Sequence, residues 1–376
     1  MRFLHTADWQ LGMTRHFLDE DAQPRYAEAR SDAIRSIGAV ARAEGCELVL
    51  ACGDVFESNQ VSARVVSRAL DAMREVGRPV YLLPGNHDPL DAGSVYSSPA
   101  FTTAAPPNVH VLRTPGAHVV RPGLEILAAP WFSKRPTRDL VGDAMNGLRA
   151  DGVVRIVAGH GSVDVLSADP TDHTRIGLGG LESALASGAV HYVALGDRHS
   201  TTDVGTSGGV WYPGTPEVTD YDEVAPGNVL VVDVGAGQPP RVSRHRTGRW
   251  SFHDLAADLS TTADVDSLDT TLATLPGKER AVVRLSLVGS LSLPDKARLD
   301  GVLARHEQVL ASLTLRDKGC DLAVYVDDDA LGELRVSGFA ATAVTELAGQ
   351  ARGGSEDAQA ARDALSLLYR LSGGRR

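Results

Sequence analysis

The 376-residue chain exceeds the length of about 250 to 300 residues at which single cores stop growing, so a large domain and a smaller one are expected. Hydrophobic residues at 43% and charged residues at 23% describe a globular protein and exclude a disordered or fibrous one. A net charge of −11 argues against broad, nonspecific attraction to nucleic acid, which rests on lysine and arginine neutralising phosphates.

In chain order, MRFLHTADW is broken by polar residues before a signal-peptide core can form, and no run approaches the roughly 18 apolar residues of a membrane span. A cytoplasmic protein without a membrane segment is expected. Short apolar runs rich in β-branched residues follow: RFLH, ELVLAC, PVYLLP, EILAAP, VRIVAG, HYVALG and NVLVVDV, all reading as buried strands. Helical patterns over Arg25 to Glu44 and Ala63 to Val76 alternate with the early strands, as in βαβ units. SKRPTR, with Lys134, Arg135 and Arg138, and RVSRHRTGR, with Arg241, Arg244, Arg246 and Arg249, are basic stretches that read equally as local phosphate contacts or as solvated loops.

After Arg249 the texture changes. A helix over Val265 to Leu275, an alternating strand AVVRLSLVG, a helix opened by Pro294 and Asp295 and a strand DLAVYV describe a compact α+β domain. Beyond a loop at Gly353 and Gly354, residues Ala358, Ala361, Leu365, Leu368 and Leu371 form an apolar stripe that packs either on its own domain or on another protein. Cys46, Cys52 and Cys320 are odd in number and lack C-x-x-C spacing, so neither a disulfide framework nor a zinc knuckle is expected.

The polar residues that end the strands carry the chemistry. Asp8 and Gln10 follow the first strand, Asp54 and Glu57 the second, and Asn86, His87 and Asp88 the third; His160 ends IVAGH, and Asp197 and His199 follow VALG. Ligands bind outside the carboxyl ends of strands in such sheets, so these five loops are expected to converge. The glycines before Asp54, Asn86, His160 and Asp197 would let the backbone turn sharply and approach an ion or phosphate closely. Carboxylate, amide oxygen and imidazole suit divalent ions such as manganese, magnesium, iron or zinc. Seven candidate ligands exceed the needs of one ion. Two ions about 3.5–4 Å apart, sharing a carboxylate, would use them all, bind a phosphate and activate water for phosphoester hydrolysis.

The ordered blocks D-x-Q, GDVFE, GNHD, GH and GDRH resemble the five signatures of the calcineurin-like metallophosphoesterases, and HTADWQLG, GDVFES and YPGTPEVTDYDE resemble the SbcD-type exonuclease subunits over roughly residues 1 to 250. The resemblance implies an α/β fold with a four-layer β-sandwich flanked by helices over 1–248, a small α+β capping domain over 249–330 and a C-terminal helical segment over 331–376. It implies one ion on Asp8, Gln10, Asp54 and His199 and a second on Asp54, Asn86, His160 and Asp197, with Asp54 bridging. His87 would contact the phosphate and protonate the leaving oxygen, and Asp88 would orient His87.

Gln10 and Asp197 stand where the family usually has histidine, which hardens the site and favours manganese, then magnesium, over zinc. The function so implied is DNA phosphodiester hydrolysis in repair or end processing, by a homodimer working with an SbcC-like coiled-coil ATPase that docks partly on the C-terminal helix. Two alternatives remain open: a stand-alone phosphodiesterase or phosphatase on a small ester, and a noncatalytic adaptor of the ATPase. GTSGG at Gly205 to Gly209 fits G-x-S-x-G formally, but it leads into a strand rather than a helix, unlike a nucleophile elbow. His5, His16, His173 and His191 show no ligand pattern, and His5 reads as a core residue.

Overall fold

The computed structural model describes residues 1–167, 174–316, 318–325, 336–353 and 357–373. The chain divides into two units, Met1–His16 with Gln23–Trp250, and Phe17–Ala22 with Ser251–Arg376. His173 and the 330/331 boundary lie outside the described residues.

The first unit is built from strands β1 (Arg2–Thr6), β2 (Val49–Cys52), β3 (Val80–Leu83), β4 (Val109–Val111), β5 (Gly116–Arg121), β6 (Leu124–Ala128), β7 (Val154–His160), β8 (Tyr192–Gly196), β9 (Thr202–Val204), β10 (Val210–Tyr212), β11 (Asn228–Gly235) and β12 (Gln238–Arg246). They form two six-stranded sheets, in the orders β12-β11-β1-β2-β3-β4 and β5-β6-β7-β8-β10-β9. Helices α1 (Ala22–Ala43), α2 (Ala63–Glu75) and α3 (Pro99–Ala104) cover one sheet, and α4 (Leu140–Met145) and α5 (Leu178–Ala186) cover the other. This is the expected four-layer α/β sandwich.

Strand periodicity explains the layering. Successive side chains of β1 point to opposite faces. Phe3 therefore enters the inter-sheet core with Leu50, Ile126, Ile156 and Tyr192, while Leu4 joins Ile34, Ile37, Leu70 and Met73 on the helix side. Because β1 to β3 are mutually parallel, as are β7 and β8, their carboxyl ends share one rim.

His5 also points between the sheets. It is fully buried, bonding the Tyr192 hydroxyl (3.1 Å) through Nδ1 and the Leu195 carbonyl (3.2 Å) through Nε2. The core reading of this residue holds, and burial pushes its pKa down from 6.5 to about 3. Between those values the unfolded chain binds the extra proton, so stability is full above pH 6.5 and falls as pH drops towards 3. All four tryptophans lie in this unit, at 9, 131, 211 and 250, so their fluorescence follows its unfolding in urea. Between pH about 7.5 and about 5.5, His5→Gln is expected to lose about 1.4 kcal/mol less than wild type. Equal losses would show that His5 does not couple stability to pH.

The second unit holds a parallel sheet of β13 (Ser251–Leu259), β14 (Ala281–Ser292), β15 (Ser312–Leu315) and β16 (Asp321–Tyr325), packed by α6 (Thr262–Thr274) and α7 (Leu293–Glu307). Strands β13 and β15 are additions to the sequence reading, as is β12, whose RVSRHR was read as a phosphate-binding stretch or a loop. Thr261 and Asp264 form a capping box that opens α6, and Ser292 caps α7. The C-terminal stripe packs on its own unit: Ala361 and Leu365 are buried against Leu293, Val344 and Ala348. Among the described residues no helix is long and apolar enough to cross a membrane.

Candidate metal centre

Four residues at the shared rim leave the normal backbone region: Asp8 (φ 54°), Gln10 (φ 43°), Asp54 (φ 52°) and Asp197 (φ 97°). Such conformations cost on the order of 1–3 kcal/mol each and persist only where surrounding contacts enforce them. Here the loops after β1 and β2 are laced together, with Asp8 N donating to the Gly53 carbonyl (3.1 Å) and Gln10 N to the Asp54 carbonyl (2.8 Å). Asp197 N donates to both carboxylate oxygens of Asp8, at 3.0 and 3.2 Å.

The side chains converge at this rim. Donor atoms of Asp8, Asp54 and His160 all lie within 4.8 Å of one another, in an arrangement able to hold a metal ion. His160 Nδ1 donates to the Cys52 carbonyl (2.8 Å), which turns Nε2 towards Asn86 Oδ1 (2.7 Å), Asp54 Oδ1 (3.4 Å) and Asp197 Oδ1 (3.8 Å). His199 Nδ1 is held by Glu223 Oε1 (3.0 Å) and Thr219 Oγ1 (2.7 Å), leaving Nε2 beside the Gln10 amide (3.1 Å). Gln10 Oε1 is buried with no hydrogen-bond donor, as an oxygen able to face a cation would be.

Electrostatics agree. Burial pushes Asp8 up to about 7, resisted by His199 and His160 and reinforced by Asp54 and Asp197. Burial and the Asp54 charge raise Asp197, partly offset by His160. His160 is raised well above its usual value because Asp54, Asp197 and Asp8 together outweigh its burial. Two buried carboxylates, Asp8 and Asp54, with Asp197 on their exposed side, call for positive charge, and the donor set fits divalent cations.

Two expectations need correction. Asp88 does not orient His87. It is fully buried, accepting from Gly85 N (2.8 Å), Phe56 N (3.0 Å) and the Tyr96 hydroxyl (2.6 Å), and so ties the third loop to the second. Burial and then Asp54 push it up to about 6. His87 Nδ1 instead donates to the Glu57 carbonyl (2.8 Å), so Glu57 contributes backbone, and its own Oε2 is buried without a partner. The four glycines also act differently, although Gly53, at φ 92°, does turn the backbone sharply. A methyl group would lie 2.0 Å from His160 Nδ1 at Gly53, 2.3 Å from Asp54 Oδ1 at Gly85 and 1.8 Å from the Cys52 carbonyl oxygen at Gly196. They make room for neighbouring strands and donor side chains; at Gly159 the neighbour is Val141, 2.6 Å away, in the core.

The family model of the calcineurin-like phosphoesterases matches residues 1–231. The chain belongs to that family. As a calcineurin-like phosphoesterase it is a hydrolase of phosphoester bonds, in a family that uses divalent metals. It is 28% identical over 291 residues to the SbcD subunit of the SbcCD nuclease of Rhodobacter capsulatus, covering 64% of this chain and 68% of that one. It is 31% identical over 101 residues to the SbcD subunit of the SbcCD nuclease of Bacillus subtilis, covering 26% of this chain and 24% of that one. A dimetal phosphatase from Danio rerio aligns with 64% of this phosphoesterase and 98% of its own chain, at 12% identity and a TM-score of 0.39.

Sequence reasoning did not single out Glu223, although it sits in the quoted run YPGTPEVTDYDE. Its carboxylate accepts from Thr219 N (2.9 Å), Thr219 Oγ1 and His199 Nδ1, which fixes the ring and its tautomer. Glu223→Ala is therefore expected to weaken divalent-ion affinity and hydrolysis 10- to 100-fold, and Glu223→Gln, which keeps an acceptor, less so. Calorimetric titration with manganese alone checks this, and unchanged affinity in Glu223→Ala would remove the positioning role. The GTSGG segment joins β9 to β10 with no helix after it, and Ser207 Oγ bonds Glu182, so no nucleophile elbow is present there.

Proposed function

We propose that this phosphoesterase is the nuclease subunit of a DNA end-processing complex, using two divalent ions, manganese before magnesium. Supporting the ligand assignment is one observation above all: Asp54 Oδ1 lies 3.4 Å from His160 Nε2, while the Asp54 backbone carbonyl accepts from Gln10 N, whose side-chain amide lies beside His199. Asp8, Gln10, Asp54 and His199 would hold one ion, and Asp54, Asn86, His160 and Asp197 the other.

When bound, such a pair supplies Lewis acidity that polarises the phosphoryl oxygens and activates water. Backbone carbonyls and Glu223 fix the imidazoles so that each Nε2 lone pair faces inward. His87, with Nδ1 tied to Glu57, presents Nε2 on the open side of Asp54, 3.9 Å from Oδ2, where it protonates the leaving oxygen.

DNA as substrate, an SbcC-like ATPase partner and dimerisation rest on the similarity to the SbcD subunits of SbcCD nucleases. On this reading the second unit is the capping domain. The buried C-terminal stripe leaves other surfaces for the ATPase. The test is a manganese-dependent nuclease assay on defined DNA ends, with and without the ATPase. Hydrolysis of a small phosphodiester but of no DNA, even with the partner, would favour a small-substrate phosphodiesterase. Failure to bind divalent ions at all would favour the adaptor.

A further inference from the structure

Phe132 is the puzzle at this rim. It is a large apolar side chain left 47% exposed beside a polar site, and it packs into none of the hydrophobic clusters. Its neighbour Trp131 is buried, with the indole N–H donating to the His160 carbonyl (2.9 Å). Trp131 N donates to the Pro84 carbonyl (3.1 Å), and its own carbonyl accepts from Leu90 N (2.8 Å). The peptide at 131 thus clamps both flanks of the loop carrying Asn86, His87 and Asp88. Consecutive Cα atoms are only about 3.8 Å apart, so Phe132 starts one residue from this clamp.

The rest of the loop is cationic and also pinned. Lys134 and Arg135 are exposed, and among the described residues neither makes an ion pair. Arg138 is neutralised by Asp143 (2.9 Å). At the far end, Asp139 accepts from Gly142 N (2.8 Å) and Gly177 N (3.2 Å). In a chain of net charge −11, an exposed aromatic ring followed by two free cations, anchored to a phosphoester site, has the composition of a single-strand binding element. Such elements stack bases on rings and hold phosphates with Lys and Arg, and a ring can stack only on a base whose face is unpaired.

We infer that Phe132 is the stacking platform for an unpaired base of the nucleic-acid strand being cut, with Lys134 and Arg135 gripping the adjoining phosphates. This rests on the nuclease reading above and adds to it the residues that would hold an unpaired strand.

The test uses the full chain with manganese, a single-stranded oligonucleotide of about 12 nucleotides, and bis(p-nitrophenyl) phosphate as internal reference. Phe132→Ala is expected to lower the ratio of kcat/KM for the oligonucleotide to that for the small ester about tenfold, while Phe132→Trp retains it. In EDTA, where cutting stops, the double variant Lys134→Ala with Arg135→Ala should flatten the slope of log affinity against log salt by about 1.4, near 0.7 per lost contact. An unchanged ratio in Phe132→Ala, or equal losses for alanine and tryptophan, overturns the inference and leaves the nuclease reading standing. A wild-type chain that cleaves the small ester and neither cuts nor binds the oligonucleotide overturns both.

Discussion

Replacing Asp54 with asparagine is expected to cut metal-dependent phosphodiester hydrolysis by at least about a hundredfold, since even loss of a residue that merely orients a metal ligand costs 10- to 100-fold. The substitution is nearly isosteric. Oδ1 can still accept from His87 N, a bond now 2.9 Å long, so the second and third loops stay joined. What changes is charge and lone pairs, because the amide NH2 in place of Oδ2 has no lone pair to offer a cation and the oxygen facing His160 loses its share of the negative charge. Initial rates against manganese concentration, with metal content by elemental analysis and a thermal melt, separate the effects. Full activity in a folded Asp54→Asn protein would move the catalytic centre elsewhere.

The candidate site was legible because chemistry forces polar groups onto the ends of otherwise apolar strands. VLAC, VYLL, VRIVAGH and YVALG are buried through nearly their whole length, so a following aspartate, asparagine or histidine can only face the rim. Harder to read were the groups that hold those side chains. His160 and His87 lean on the carbonyls of Cys52 and Glu57, and a carbonyl has no letter of its own in a sequence. Asp88 misled for the same reason: adjacency to His87 suggested partnership, whereas the turn sends its carboxylate to Gly85 N, Phe56 N and Tyr96.

Fold elements were missed where exposure erases periodicity. Strand β12 carries QPPRVSRHR with most side chains in solvent, at the edge of its sheet, so no apolar alternation marks it. Strand β13 is likewise an edge, buried only at Leu259. Its partner β14, buried at Ala281, Val282, Val283, Leu285 and Leu287, was plain.

The departures at positions 10 and 197 fit this geometry. An amide and a carboxylate stand at the rim on loops already strained to positive φ, and neither needs the acceptor behind the ring that His160 and His199 have. Asp197 instead receives its positioning from the backbone, its N–H bound to Asp8, so one candidate ligand braces another.

On the nuclease reading, with His87 as proton donor, His87→Asn is expected to slow DNA hydrolysis by about 10²- to 10⁴-fold, the usual contribution of such a group. Nδ1–H donates to the Glu57 carbonyl whatever the charge on the ring, so on this reading the proton to be transferred is the one on Nε2. That atom stands 3.9 Å from Asp54 Oδ2 on a side chain 37% exposed, open to an arriving phosphoester. The loss should depend on what departs. A sugar alkoxide needs the proton, whereas p-nitrophenolate leaves readily without it, so the variant should lose far less on a p-nitrophenyl ester than on a dinucleotide. Equal losses on both, with manganese affinity unchanged, would show that His87 binds the phosphate and donates no proton, and the leaving oxygen would then have to be protonated from solvent.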